Sequence, residues 1–473
     1  MSLRERGPPP RDDARPGRRW SRGLAGDAAL TTNLDRCRAW VVTANMGLGH
    51  QRAAHALAYL AHGGILTAGS PDATDEDEAR FWRRLTWTYE FVSRTRGVPF
   101  VGGAMFGVLD SLLHIPPFYP LRDRSKPSLN NYLVDHLIRQ GLGRSLLEQL
   151  RSHWLPVIST FYAPALIADH ARYAPVYSVI CDADLNRVWV PSNAARSRIQ
   201  YFAPCGRVMR RLRQYGVPDE RIFITGFPLP RENIGGPGME TLKSDLLQRL
   251  GRLDPQGRFT SVFGSTVQEI LGERPQPATG GDRVTVTFAV GGAGAQAEIG
   301  LLLAQSLKPG ILDGRFRLVL VAGVNPLVEH VFHGFVSRIG LEAALGDGVR
   351  IVREDRKQDY FDRFNALMRE TDILWTKPSE LSFYSGLGIP IVMAPPLGSQ
   401  EGKNLRWLMD KGAALPQYTP SLALEWLSDM MKDGVLAEKA FSGFIKNRKL
   451  GVYKIEEVLQ TGTMVRETHP LRR

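Results

Sequence analysis

The chain has 473 residues, 43% hydrophobic and 23% charged, the make-up of a soluble globular protein with room for two or three cores. Lys+Arg 60 against Asp+Glu 48 gives a net charge of +12, which suits phosphate-bearing ligands or an anionic membrane surface. The basic residues are dispersed, so no nucleic-acid partner is expected, and no apolar run reaches the roughly 20 residues that span a bilayer.

In chain order, the first segment holds seven arginines, several prolines and no apolar stretch between Met1 and Asp27. That excludes a secretory signal and predicts a disordered basic tail over residues 1–34. A first α/β domain is expected over 35–235. Its strands are 39–43, 155–159, 176–180, 187–190 and 221–225, by their apolar and β-branched runs. A helix follows the first strand, with Ala53, Leu57 and Leu60 on one face. Residues 82–119 mix aromatics, arginines and the apolar stretch 101–113. They read as a helical subdomain core, with a lid or interfacial segment as the alternative.

A second domain is expected over 236–450, opened by an amphipathic helix at 240–253. The Gly- and Pro-rich text of 254–282 reads as an insertion or mobile loop. Strands at 284–290, 318–322, 349–352, 372–375 and 390–393 then alternate with helices at 295–307, 360–369, 379–387 and 403–411. Strand–helix alternation of this kind predicts parallel sheets, hence two Rossmann-like α/β domains facing across a cleft. Residues 451–473 are left as a C-terminal tail. Three cysteines (Cys37, Cys181, Cys205) form neither a disulfide framework nor a metal pair, and fit small core residues in a reducing cytoplasm.

Candidate chemistry sits where strands end, the place at which open α/β sheets bind ligands. After the first strand comes Asn45-Met46-Gly47-Leu48-Gly49-His50. Gly47 and Gly49 let the backbone turn tightly against a ligand, and His50 suits a general base, with helix capping as the competing reading. A second glycine turn, Gly291-Gly292-Ala293-Gly294-Ala295-Gln296, has amides able to cradle a diphosphate without a metal. Thr376, Lys377, Ser379 and Glu380 offer a cation, hydroxyls and a carboxylate to phosphates and ribose. Gln400, Glu401 and Asn404 add groups suited to sugar hydroxyls. Asp182-Ala183-Asp184 has D-x-D spacing, but with the phosphates served elsewhere no metal is expected. Asp182 is assigned to orienting His50 or lining the acceptor cleft.

Taken together, these residues resemble the type-B-fold glycosyltransferases. That family includes monogalactosyldiacylglycerol synthases, processive diacylglycerol glucosyltransferases and the N-acetylglucosaminyltransferase of lipid II synthesis. The matching text is 47–54, 156–160, 215–229, 291–294, Thr376-Lys377, 388–390 and 400–404, in the family's order over about residues 37 to 450. The resemblance implies a UDP-sugar donor held by the C-terminal domain. It also implies inversion at the anomeric carbon with no metal or cofactor, and His50 in the position of the base. The acceptor it implies is a hydroxyl, lipids included, on a cytoplasmic protein with peripheral membrane contact as an option. The family's "GPGT…E" segment is replaced here by 378–383. Glu380 therefore stands as a substitute for the ribose-binding glutamate. A UDP-sugar epimerase or hydrolase of the same fold, or an inactive nucleotide-sugar binder, are the alternatives.

Overall fold

A computed structural model describes residues 38–70, 78, 82, 115–277, 282–291, 294, 296–465 and 467. The expected basic tail and most of the 82–119 segment lie outside the described residues, as do Gly292, Ala293 and Ala295. The two Rossmann-like α/β domains are present as two six-stranded sheets, parallel throughout.

The first sheet has the order β2-β1-β3-β4-β5-β6, from β1 (Trp40–Ala44), β2 (Leu66–Ala68), β3 (Val157–Ser159), β4 (Val176–Val179), β5 (Ile199–Phe202) and β6 (Ile222–Phe223). Burial on both faces explains why β1, β3 and β4 read as unbroken apolar runs rather than alternating ones. Helix α1 (Leu48–His55) follows β1, and α2 (Leu129–Arg139), α3 (Arg144–Ser152), α4 (Tyr162–His170) and α5 (Gly206–Gln214) complete the layers.

The second unit opens with α6 (Glu240–Leu253) and α7 (Arg258–Leu271). Its sheet has the order β12-β11-β10-β7-β8-β9. The strands are β7 (Val284–Ala289), β8 (Phe316–Gly323), β9 (Val349–Arg353), β10 (Ile373–Thr376), β11 (Ile391–Met393) and β12 (Ala414–Pro416). Helices α8 (Ala297–Leu312), α9 (Pro326–Arg338), α10 (Lys357–Glu370), α11 (Ser399–Lys411), α12 (Ala423–Lys432), α13 (Val435–Lys446) and α14 (Gly451–Thr461) surround it.

Each sheet has a point where its order reverses. In the first, the chain leaves β1 for β2 on one side and returns to β3 on the other. In the second, β8 and β10 flank β7 in the same way. Such switch points open a crevice at the strands' carboxyl ends. The His50 turn leaves the end of β1, the Gly291 turn leaves β7, and Lys377 leaves β10.

Three expectations are corrected and a fourth is adjusted. Residues 187–190 are no strand: Asn186 accepts the Val188 N–H at 3.0 Å and caps a 3-10 turn, Arg187–Trp189. The Arg187 guanidinium then bonds the carbonyls of Ser125 and Pro191, so local side-chain bonds overrode β propensity. The strand of that region is β5. The supposed loop 254–282 contains α7, framed by left-handed Gly257 and Gly272, with Asp254 accepting the N–H groups of Phe259 and Thr260 at 3.1 and 2.8 Å. Phe259 docks on Phe441 of α13, which ties the helix to the domain. The helix expected at 379–387 is present, with its start moved to Glu380 and its winding 3-10 (Glu380–Leu387), fully buried and capped by Ser379. The segment left as a tail includes α14, which crosses back to the first domain: Tyr59 donates to Glu456 at 3.2 Å, and Arg231 pairs with the same carboxylate.

Among the described residues, no helix is long and apolar enough to cross a membrane.

Candidate functional site

Strand β1 delivers its chain into a turn that only glycine makes without strain, since Gly47 has φ 92°. Helix α1 begins directly after it, so His50 sits in the first turn. The ring lies beside Phe161 and Trp189, with centroids 5.1 and 5.9 Å away. Burial lowers its pKa to about 4, against smaller upward pulls from the Thr160 backbone and the Glu380 carboxylate. The imidazole is therefore neutral at pH 7, ready to accept a proton but reluctant to keep it.

The turn faces the second domain at close range. A Cβ on Gly49 would lie 2.8 Å from Glu380 Oε2, so any larger residue would have to displace that carboxylate where the two domains meet. Three residues on, Arg52 is 2% exposed and reaches across the seam. Its Nε donates to Glu380 Oε1 at 3.2 Å and its Nη2 to the Tyr360 hydroxyl at 3.2 Å. The guanidinium lies 4.3 Å from the Phe364 ring centroid and 4.9 Å from that of Phe361. Burial opposes its charge, but Tyr360, Tyr384 and Glu380 outweigh that and raise its pKa. Nearby, Lys357 donates to Asn45 Oδ1 at 2.6 Å, and His55 Nε2 lies 2.8 Å from Asp362 Oδ1.

On the second domain's side, the Lys377 stem lies over the Gly291 backbone, where a Cβ would approach Lys377 Cε to 2.8 Å. The strand-end lysine and the glycine turn thus form one unit. The Lys377 ammonium donates to Glu401 Oε1 at 2.7 Å, and Glu401 Oε2 accepts the Leu397 N–H at 2.7 Å. Gln296 donates to the Pro395 carbonyl at 3.0 Å. Gly294 takes a left-handed turn closed by its N–H to the Gly291 carbonyl at 2.8 Å. Thr376 is buried and donates to the Ala289 carbonyl at 3.2 Å, fixing β10 to β7. Ser379 is a cap for Leu381, and Gln400 is half-buried at the start of α11.

Asn404 and Asp182 meet across the seam. Asn404 Nδ2 donates to Asp182 Oδ1 at 2.8 Å, and its Oδ1 accepts the Ala183 N–H at 2.7 Å. Burial raises the Asp182 carboxyl to about 6; Asn404 and Lys377 lower it, while Glu380 and Glu401 add to the rise. Asp184, the other acid of the D-x-D pattern, is 1% exposed and gripped by Arg211 at 2.7 and 2.9 Å. The two acids therefore serve different partners. Among the described residues, no group of three or more His, Cys, Asp or Glu side chains is arranged to hold a metal.

The sequence-selected residues His50, Gly49, Asp182, Lys377, Glu380, Glu401 and Asn404 thus line one seam. Glu380, selected for ribose, is 8% exposed and engaged by Arg52. The sequence reading missed Arg52, Lys357 and Tyr360. Their signal was weak: an arginine on the apolar face of α1, and an aromatic pair at helical spacing in α10, each of which looks like ordinary surface or core until the partner domain is present.

A protein-family model described as a domain of unknown function (DUF6938) matches residues 331–458. The chain is similar to the processive diacylglycerol beta-glucosyltransferase of Bacillus subtilis (strain 168), 21% identical over 299 residues, covering 62% of this chain and 65% of that protein. The protein of the same name from Bacillus cytotoxicus is 23% identical over 329 residues, covering 68% of this chain and 72% of that one. The chain spans 65% of the length of the first of these relatives, a little under two thirds. Solved structures with a similar chain trace include Acinetobacter baumannii MurG, 12% identical, covering 89% of this chain and 99% of that one at a TM-score of 0.46. Another is S. aureus MnaA with UDP, 10% identical, covering 89% and 96% at 0.45. Likeness that distant bears on neither reaction nor ligand. By sequence, this chain is similar to proteins named processive diacylglycerol beta-glucosyltransferase, and its two parallel sheets meeting at one seam give it the type-B arrangement of Rossmann-like domains.

Proposed function

We propose that this protein is an inverting, metal-independent glycosyltransferase that moves a sugar from a UDP-sugar to a hydroxyl acceptor of diacylglycerol type at a membrane surface. The observation that carries this reading is the meeting of the two switch-point turns. The imidazole of the first domain and the Gly291–Lys377 unit of the second open onto the same seam, as a donor–acceptor reaction requires. The names of the sequence relatives supply the sugar-transfer class and the lipid acceptor.

In this mechanism the glycine turn and Lys377 hold the diphosphate, with Lys377 exchanging Glu401 for the phosphate oxygens. As the acceptor oxygen attacks the anomeric carbon, the bond to the diphosphate breaks and its electron pair leaves with UDP. His50 takes the acceptor proton. Stabilising the departing diphosphate is the largest contribution, with about 3–4 kcal/mol lost per donor removed. A catalytically idle nucleotide-sugar binder is the second reading, favoured by the Lys377–Glu401 and Arg52–Glu380 pairs, which engage groups assigned to the donor with partners from the protein itself.

Purified protein supplied with labelled UDP-glucose and diacylglycerol in mixed micelles tests the proposal. We expect a β-linked glycolipid, and a rate about 10²–10⁴-fold lower in His50→Ala. Full activity in His50→Ala removes the imidazole from the reaction. UDP-dependent thermal stabilisation without turnover on any acceptor favours the idle binder.

A further inference from the structure

Lys377 lies over the glycine turn, while Asp182, Glu380 and Glu401 gather beside it. A cation over backbone amides suits a diphosphate. Carboxylates repel phosphate oxygens but accept hydrogen bonds from hydroxyls, so a carboxylate oxygen left open beside that cation suits the sugar rather than the phosphates.

Of the three carboxylates, Glu401 is bonded through both oxygens, by Lys377 and the Leu397 N–H, and Glu380, bonded by Arg52 through Oε1, turns its Oε2 onto the Gly49 backbone. Asp182 is different. Asn404 takes only its Oδ1, and the side chain is half-buried rather than sealed. Oδ2 accepts no hydrogen bond among the described residues. Asn404, the amide that chain order assigns to a sugar, is itself fully buried and turned onto the protein. Its oxygen accepts the Ala183 N–H, one amide hydrogen goes to Asp182, and the other faces the Pro378 carbonyl at 3.5 Å.

We propose that Asp182, contributed by the first domain, reads a hydroxyl of the transferred sugar through Oδ2, and that Asn404 is the positioning residue that aims it. The inference rests on the donor-site reading above and adds a specificity element from the opposite domain. Asn404 grips the Asp182 carboxylate and the next backbone N–H together, which fixes both the direction of the side chain and the loop after β4. Because α11 carries Glu401 as well as Asn404, one helix sets both the phosphate lysine's partner and the sugar-reading acid. The groups facing Asp182 are Glu380 and Glu401, which raise its pKa, and Lys377 and Asn404, which lower it. Recognition through an ionised carboxylate therefore strengthens as pH rises through about 6.

Calorimetric titration with UDP and with UDP-glucose, UDP-galactose and UDP-N-acetylglucosamine, without acceptor, isolates the sugar's share of binding. For the sugar that binds wild type most tightly, we expect Asp182→Ala and Asn404→Ala to lose about tenfold of the affinity gained over UDP alone, while UDP itself binds unchanged. Asn404→Ala should also move the pH midpoint of that gain upward by about one unit, since an amide donor to the carboxylate is lost, and Asn404→Ser should restore part of it. A purely structural role for Asn404 would weaken UDP and UDP-sugar alike and leave the midpoint in place, and that result overturns the proposal. Equal gains in wild type and Asp182→Ala overturn it too. If wild type binds none of these nucleotides, the donor-site reading itself fails.

Discussion

At the scale of single residues, the seam holds two titratable groups displaced toward each other's range. Burial lowers His50 to about 4 and raises Asp182 to about 6. For Asp182 the folded pKa is above the unfolded one, so the folded protein binds the extra proton. Its ionisation therefore costs stability above about pH 6 and costs nothing below its unfolded value of 3.8. Asp182→Asn, which keeps a partner for Asn404, should accordingly stabilise the protein by about 1–3 kcal/mol at pH 8 and not at pH 4. Thermal melts at the two pH values check this; equal shifts at both would show that the carboxylate's burial is not what is being relieved. His50 has the opposite sign, since its depressed pKa removes stability as pH falls from 6.5 toward 4. A stability gain bought at the cost of sugar recognition is the usual mark of a functional buried acid. Glycine turns, the histidine and the lysine were legible from sequence because each follows a strand run directly. Arg52 was not, because its role is defined by aromatic rings some 308 residues away that only folding brings to it.

At the scale of elements, the decisive contact is between α1 and α10 with the buried 3-10 helix Glu380–Leu387. Arg52 inserts from one domain into a cage of Tyr360, Phe361 and Phe364 in the other, and ends on Glu380. Removing one partner of such a buried pair leaves the other charge unpaired, at about 3–5 kcal/mol. Arg52→Ala should lower unfolding stability by that amount, and Arg52→Ala combined with Glu380→Gln should cost less than the single changes summed. Urea unfolding of the three variants measures it, and strict additivity would mean the two side chains do not interact in solution. The strands with unbroken apolar runs were legible for the reason that both faces of a parallel sheet are covered. Helix α7 was not, because Gly257, Gly272 and the polar residues between Asp254 and Gly257 look like loop text, although those glycines are its caps. The 3-10 turn at Arg187–Trp189 has β-branched and aromatic residues that suit a strand, and only the Asn186 cap and the Arg187 bonds decide otherwise.

At the scale of the molecule, two parallel sheets of different strand order present their switch points to one another. Contacts that secure that relation include Arg52–Glu380, Lys357–Asn45 and Asn404–Asp182 within the seam, and α14 returning to Tyr59 and Arg231 at its edge. The doubly wound fold was readable from strand–helix alternation alone. The facing of the two units across a cleft was expected from the motifs at the strand ends, but the side-chain contacts that join them, Arg52–Glu380 among them, were not, since neither periodicity nor propensity encodes such pairs. Nor did composition foretell that Lys377 and Glu401 would pair with each other. The account stands on a single shared site formed by both domains. Hydrogen exchange with and without saturating UDP-glucose tests it most directly. The account predicts slowed exchange in both domains at once, over residues 45–52 and over 291–296 with 397–404. Protection confined to one domain, or to neither, would contradict it.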